Sequence, residues 1–370
     1  MAKRWRSILL TPNVLGKDGV SALSREMARA LPQPAVIVSL HDKSVSEERS
    51  PVELEVRGAD GSRLTFLVSA IRASRAGRHD LTIACSHLHL APAARLVQLL
   101  AGAAPRPIVV LCGIEAWVPL RALERWALKG SDLAAISQHT ADRFKEANAD
   151  FRDAVVSVCH PGVAAVSAAA PRFGESPIAL IVARMSAAER YKGHDALLEI
   201  WPRVLERHPE AVLAVVGDGD DRIRLEEKAK DLDLHGAVTF AGRVGDSALA
   251  GLYARCRFFV MPSRDEGFGL VFLEAMRAAK PCICATGAAA EIVENGATGI
   301  VIDPGDSSAL LAAILQLYDD SAMCKRLGDA GRARFLSEFT DRHFQARFAR
   351  LIAHEPSARR NSTSAIASVL

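Results

Sequence analysis

Two doubly wound α/β domains facing each other across a cleft are what this 370-residue chain predicts. Three observations lead there. Short β-rich runs alternate with helical segments along the chain; the runs are apolar on both faces, as parallel strands covered by helices are; and the alternation breaks once, near the middle. A length prior of about 150 residues per domain also favours two units.

In the first half the runs SILLTP, PAVIVSL, DLTIAC, PIVVLC, DLAAIS and VVSVC read as strands. Between them lie helical stretches such as VSALSREMARAL and LTFLVSAIRA, where Leu64, Leu67, Val68 and Ile71 fall at helical spacing. A composition shift over VAAVSAAAPRFGESP, residues 163–177, brings small residues, two prolines and a glycine without periodicity, and marks a linker. The alternation then resumes with PIALIVAR, AVLAVVG, AVTFAG, FFVMPS, PCICAT and GIVID. The expected division is a first domain over 1–164, a linker over 165–177, a second domain over 178–339, a final helix over 340–354 and a flexible tail over 355–370.

Composition narrows the function classes. With 49% hydrophobic and 24% charged residues the chain reads as soluble and globular. The seven cysteines lie mostly in apolar runs and form no Cys-x-x-Cys pair, which suits buried thiols and argues against a zinc site or a disulfide framework. No apolar stretch reaches the length of a membrane span, and MAKRWRSILLTPN has too short an apolar run for a signal peptide, so a cytoplasmic location is expected. Residues 1–165 carry 21 Lys and Arg against 16 Asp and Glu, a net +5, and the remainder 25 against 27. A solvated surface is the plain reading of that split; a first domain leaning on an anionic membrane face is the sharper one. The basic clustering of a nucleic-acid binder is missing.

Three motifs bear on chemistry. VVGDGDDR, residues 215–222, sets Gly217 and Gly219 directly after a strand, but Arg222 stands where a dinucleotide fingerprint needs its third glycine. A tight turn and a ligand contact are equally good readings of this pair. In FFVMPSRDEGFGLVFLEAMRAAKPCICA, a buried strand is followed by a loop from Asp265 to Gly269 and a helix from about Leu270. Gly267 and Gly269 remove side chains where that helix begins, so backbone N–H groups and the positive helix end can face an anion such as a diphosphate. Glu266 precedes that position, and Glu274, about one turn inside the helix, suits vicinal sugar hydroxyls. Finally, PIALIVARMSAAERYKGHD places Arg184 at a strand's carboxyl end and Lys192 eight residues on, two cations able to neutralise a leaving diphosphate without a metal.

With these clusters in this order the sequence resembles the retaining glycosyltransferases of the GT-B fold, specifically glycosyltransferase family 4. The resemblance is carried by VARMSAAERYKGHDALLE, AVLAVVGDGDD, VTFAGRVGDSALAGLYARCRFFVMPSRDEGFGLVFLEAM and PCICATGAAAEIVENGATGIVIDPGD, nearly all of the second half. It implies two Rossmann-like domains and a C-terminal helix crossing back to the first. By this resemblance Arg184 and Lys192 grip the donor's diphosphate and Glu266 contacts the transferred sugar. Gly267, Phe268, Gly269 and Leu270 offer backbone groups, and Glu274 holds the ribose. Gly242, Arg243 and Val244 match the stretch along the nucleobase, and Glu291 matches a family acid for which a helix N-terminal charge is an equally good reading. In the first domain NVLGKDGVSALSREMARAL matches the glycine-rich loop, with Gly16 and Gly19 admitting the diphosphate or acceptor. CSHLHLAPAARL matches a histidine-containing loop, with His87 as the active-site histidine and His89 as runner-up. Where relatives often have His-Gly-Ile-Glu, this chain has Cys112-Gly113-Ile114-Glu115.

The implied activity is transfer of a sugar from a UDP- or GDP-sugar to a carbohydrate or lipid-linked acceptor hydroxyl, with no resident cofactor or metal. The pathway expected for such an enzyme is bacterial surface polysaccharide or glycolipid synthesis. A nucleotide-sugar 2-epimerase of the same architecture would need no acceptor, and a non-catalytic nucleotide-sugar binder would show no turnover.

Overall fold

The computed structural model describes residues 5–102, 105–166 and 176–353. Its first sheet holds seven parallel strands: β1 (Trp5–Thr11), β2 (Ala35–Ser39), β3 (Glu55–Gly58), β4 (Gly77–Cys85), β5 (Ile108–Leu111), β6 (Asp132–Ala135) and β7 (Val156–Val158), in the order β3-β2-β1-β4-β5-β6-β7. Its second holds six: β8 (Ile178–Val182), β9 (Val212–Val216), β10 (Val238–Gly242), β11 (Phe258–Met261), β12 (Cys282–Ala285) and β13 (Gly299–Ile302), in the order β10-β9-β8-β11-β12-β13. Twelve of these strands are the twelve expected runs. The thirteenth, β3, has the polar sequence EVRG and only one neighbouring strand, so it shows no apolar run.

Helices α1 (Gly19–Ala30), α2 (Arg63–Arg75), α3 (Ala91–Ala101), α4 (Ala122–Lys129) and α5 (Gln138–Ala147) cover the first sheet. The second carries α6 (His194–Arg207), α7 (Arg222–Asp231), α8 (Asp246–Arg255), α9 (Leu270–Arg277), α10 (Ser307–Asp319) and α11 (Ser321–Glu338). In both sheets the strand order switches sides at the first strand in sequence, between β1 and β4 and between β8 and β11. Doubly wound sheets open a crevice at the carboxyl ends of such strands. The loops after β1, β8 and β11 therefore meet in one place.

The stripe at Leu64, Leu67, Val68 and Ile71 is not the buried face of α2. Leu64 is 74% exposed and Val68 also faces solvent, whereas Phe66, Ala70 and Ala73 are buried. Small side chains at 70 and 73 let the helix lie close to β1 and β2, and the larger aliphatics are left flanking or outside it.

A last helix, α12 (Asp341–Ile352), packs on α1 of the first domain. Its Phe344 and Phe348 join an apolar cluster with Met27 and Phe339, and Gln345 donates to Glu26. The two chain passages between the domains run side by side: Val163 N donates to Phe339 O and Asp341 N to Val163 O. Gly162 is required there, because a Cβ would stand 2.2 Å from Thr340 O. Most of the expected linker and all of the expected tail, residues 167–175 and 354–370, lie outside the described residues. Among the described residues no helix is long and apolar enough to cross a membrane.

Candidate active site

Between the domains lies a cavity of about 540 Å³, lined by the loops after β1, β5, β8 and β11 and by the start of α9. On the second-domain side, β8 ends at Val182 and Arg184 follows it into the cavity. The GDGDD loop holds that segment from beneath. Met185 N donates to Asp218 O, Asp221 N to Met185 O and Ala187 N to an Asp220 carboxylate oxygen. A Cβ on Gly217 would stand 1.9 Å from Ala183 O and one on Gly219 1.9 Å from Met185 O. Of the two readings the sequence allows for this Gly-x-Gly pair, the structure shows close backbone packing, and neither glycine lines the cavity.

A charged network extends this support. The buried Asp221 accepts from Arg190 at 2.8 and 3.1 Å and from Arg224 at 2.6 and 2.8 Å. Arg224 also donates to both oxygens of Asp195, joined by Lys228 at 2.6 Å. Arg224's hydrogen bonds hold the Asp221 carboxyl well below its ordinary range and bring Asp195 down to about 2. Arg190 lies in the turn that carries Lys192, so the network fixes the backbone from which Lys192 extends.

Lys192 Nζ lies 2.6 Å from Glu266 Oε2, with both side chains about 15% exposed or less. The two clusters read from the sequence thus meet. Arg184 is more exposed and sits 3.3 Å from Glu189. Tyr191 lines the cavity beside them, its hydroxyl pKa raised by burial. Gly269 caps α9 with φ +94°, a conformation natural only for glycine, and opens the cavity wall toward Leu270 and Val271 at the helix start. The Phe268 side chain is buried against His160, their rings stacked 5.5 Å apart. Glu274 lies half-buried one turn into α9, where burial raises its pKa despite the nearby Tyr253 hydroxyl.

From the first domain, Lys17, Asp18 and Gly19 line the cavity and Gly16 does not. The loop is rigidly held: Asp42 accepts from Val14 N at 2.6 Å, and Arg25 donates to the carbonyls of Val14 and Gly16. Asp18 caps α1 by accepting from Ser21 N. Burial alone would raise this carboxyl, and hydrogen bonds from Ser21 and Asn13 outweigh it. Gly19 faces Leu270, so the N-termini of α1 and α9 approach each other across the cleft.

The structure does not bring every expected residue here. His87 and His89 are absent from the cavity lining. The His87 ring accepts from His89 N, burial depresses its pKa, and His89 pairs with Glu124 at 2.8 Å. The first domain instead presents Cys112 and Glu115. Cys112 is a neutral thiol, its pKa pushed well up by burial, and Glu115 accepts from Cys112 N at 2.7 Å. Gly242, the last residue of the edge strand β10, and Arg243 and Val244 after it also stand off the cavity lining. Gly242 has φ +65° and accepts from Gly217 N. Tyr191 and Tyr253 carry no signal in the sequence motifs: Tyr191 directly precedes Lys192 in the chain, and Tyr253 meets Glu274 only through the packing of α8 on α9. Among the described residues no group of three or more His, Cys, Asp or Glu is placed to hold a metal ion.

Comparison with known proteins agrees with this architecture. Residues 166–334 match the family of glycosyl transferases group 1. The HepE protein of Anabaena, solved in complex with UDP and glucose, superposes with a TM-score of 0.77 at 18% identity over 95% of this chain and 100% of that one. The fold is GT-B. The glycogen synthase of Mycobacterium tuberculosis (strain ATCC 25618 / H37Rv) is 33% identical over 227 residues, 60% of this chain and 53% of that protein. A GDP-mannose-dependent monoacylated alpha-(1-6)-phosphatidylinositol monomannoside mannosyltransferase of Corynebacterium glutamicum is 29% identical over 197 residues, 51% of each. The chain spans about half the length of the curated relatives it matches.

Proposed function

We propose that the chain is a retaining glycosyltransferase that moves a hexosyl group from a nucleotide diphosphate sugar to an acceptor hydroxyl. The observation that carries this is the Lys192–Glu266 pair at 2.6 Å, with Arg184 and Glu274 lining the same cavity beside the start of α9. Cations, a helix N-terminus and two carboxylates in one wall match the three parts of such a donor: diphosphate, sugar and ribose. The names of the two relatives, one a glycogen synthase and one a mannosyltransferase, support glycan building as the class of reaction.

In this reading Arg184, Lys192 and the amides at the start of α9 bind the diphosphate, which competes with Glu266 for Lys192. Glu266 turns to the sugar hydroxyls and Glu274 takes the ribose. The bond from the anomeric carbon to the diphosphate oxygen breaks, and the acceptor oxygen bonds the same face of that carbon. The acceptor proton passes to the departing phosphate. The protein contributes position and fixed charge in a closed cleft and needs no metal in this scheme. The first domain takes the acceptor through the 12–19 loop and the Cys112–Glu115 corner, and the second holds the donor.

A carbohydrate or lipid-linked acceptor of bacterial surface glycan synthesis fits the relatives. Leu64, Leu123 and Trp126 stand exposed on α2 and α4, where Arg63, Arg72 and Arg125 are exposed as well and Arg121 directly precedes α4, which supports a peripheral contact of the first domain with the anionic inner face of the cell membrane. Co-sedimentation with phosphatidylglycerol vesicles, lost in Leu123→Asp, checks that contact. Incubation with UDP-, GDP- and ADP-sugars and an acceptor panel tests the reaction: one donor is consumed with a retained anomer in the product. Consumption of none, or isomerisation without acceptor, sinks it.

A further inference from the structure

Glu291 lies on the second domain, yet three of its contacts are outside it. Its carboxylate accepts from Gln138 N at 2.8 Å and His139 N at 2.7 Å, the first amides of α5 in the first domain, and lies 2.8 Å from His160 Nε2. The carboxylate is thus a helix N-terminal charge, but the helix belongs to the opposite domain. Burial would raise its pKa, and the hydrogen bonds from His160, His139 and Gln138 bring it below the ordinary carboxylate range.

From these contacts two short routes reach the donor loop. Through α5, Ser137 Oγ and Thr140 Oγ1 both donate to the carbonyl of Gly267, at 2.8 and 3.3 Å. Gly267 is also packed on the Cys112–Gly113 backbone, where a Cβ would stand 2.6 Å from Cys112 O. Through His160, the imidazole stacks on Phe268 at 5.5 Å. Residues 267 and 268, between Glu266 and the start of α9, are therefore held from the first domain on both sides, and Glu291 joins the two holds.

We infer that Glu291 is a positioning residue: by clamping α5 and His160 of the first domain it sets the shape of the 266–269 loop only when the domains are closed. The inference rests on the glycosyl-transfer reading for its chemistry, and on the interdomain hydrogen bonds alone for its geometry. Arg184 and Lys192 lie wholly on the second domain, so nucleotide binding survives loss of the clamp while turnover does not.

The test compares wild type, Glu291→Ala and the double variant Ser137→Ala/Thr140→Val as full chains. Calorimetry with UDP and GDP reads nucleotide binding, release of nucleoside diphosphate from the accepted nucleotide sugar reads turnover, and small-angle scattering reads domain separation. For Glu291→Ala we expect turnover to fall about tenfold to a hundredfold, as misplacement by about 1 Å produces. Nucleotide affinity should stay within about threefold of wild type, a change under the 1.4 kcal/mol of a tenfold effect. The radius of gyration should rise. The double variant should lose turnover in the same direction without the change in domain separation. Unchanged turnover with an unchanged radius of gyration, or affinity lost in step with turnover, would overturn the inference. If Glu291→Ala does not fold, the double variant decides by the same turnover and affinity criteria. If wild type consumes no nucleotide sugar, the glycosyl-transfer reading fails, and scattering from Glu291→Ala still decides the clamp.

Discussion

The two domains share one winding but build their halves of the cleft differently. The second domain places charged side chains in the cavity from within two short stretches, 184–192 and 265–274, and supports them with the GDGDD loop and the Asp221–Arg224–Asp195 network. The first domain contributes a tightly held loop at 12–19, the Cys112–Glu115 corner and hydrogen bonds that grip Gly267. Local spacing is enough to build the first kind of wall, whereas the second kind exists only after distant segments have packed. The same physical task, presenting groups at strand ends, is coded locally on one side of the cleft and non-locally on the other.

Four changes probe that contrast, the largest first. Lys192→Ala removes the half-buried cation that pairs with Glu266 in the cavity wall, and on the proposed reading the barrier to turnover should rise by about 3 to 4 kcal/mol, with an unchanged circular dichroism spectrum. Near-normal turnover would dissolve the distinction between the two walls. Gly219→Val forces a side chain into the Met185 carbonyl, and overpacking of this kind costs about 1 to 3 kcal/mol; chemical denaturation should show it together with weaker nucleotide binding, because the 183–190 segment carries Arg184. A variant as stable as wild type would show that the loop is not a support.

Asp195→Asn tests the network through pH. The Asp195 carboxyl is depressed to about 2 in the folded chain by Arg224. A folded value below the unfolded one means stability that is present above about pH 4 and lost as pH falls toward about 2. The substitution should cost about 2 kcal/mol near neutral pH, as hydrogen bonds to charged groups do, and progressively less in acid; a cost that does not fade would sink the ionic account. The smallest effect is expected at His87. Because its ring stands off the cavity lining, His87→Ala should lower turnover by less than the roughly hundredfold typical of a proton-transferring group, and by less than Glu115→Gln does in the same assay. A larger loss for His87→Ala would restore it to the chemistry and bring the two walls closer in kind.

The fold was legible almost in full because buried parallel strands write themselves as apolar runs, and only β3, polar and at an edge, left no such mark. Helical faces were less legible: Leu64 and Val68 of α2 face solvent because Ala70 and Ala73 give closer packing than larger side chains can. In the candidate site, Lys192, Glu266 and Glu274 could be placed because a strand end and a helix start fix them by spacing. His87, Gly16 and the 242–244 stretch are adjacent in sequence to the right loops, but the direction each takes after its strand is set by tertiary packing. Glu291 shows the limit most clearly. Its charge suits a helix N-terminus, and nothing local says that the helix lies 152 residues earlier on the other domain.

In the proposed reading the second domain holds a nucleotide sugar through Lys192 and its Glu266 partner. Thermal unfolding with UDP-, GDP- and ADP-sugars, on wild type and Lys192→Ala side by side, tests it most directly, since a ligand at about a hundred times its Kd stabilises the folded state by about 2.7 kcal/mol. One nucleotide sugar should raise the Tm of wild type and leave that of Lys192→Ala nearly unmoved. No rise with any of them, or an equal rise in the variant, would rule out nucleotide-sugar binding through Lys192.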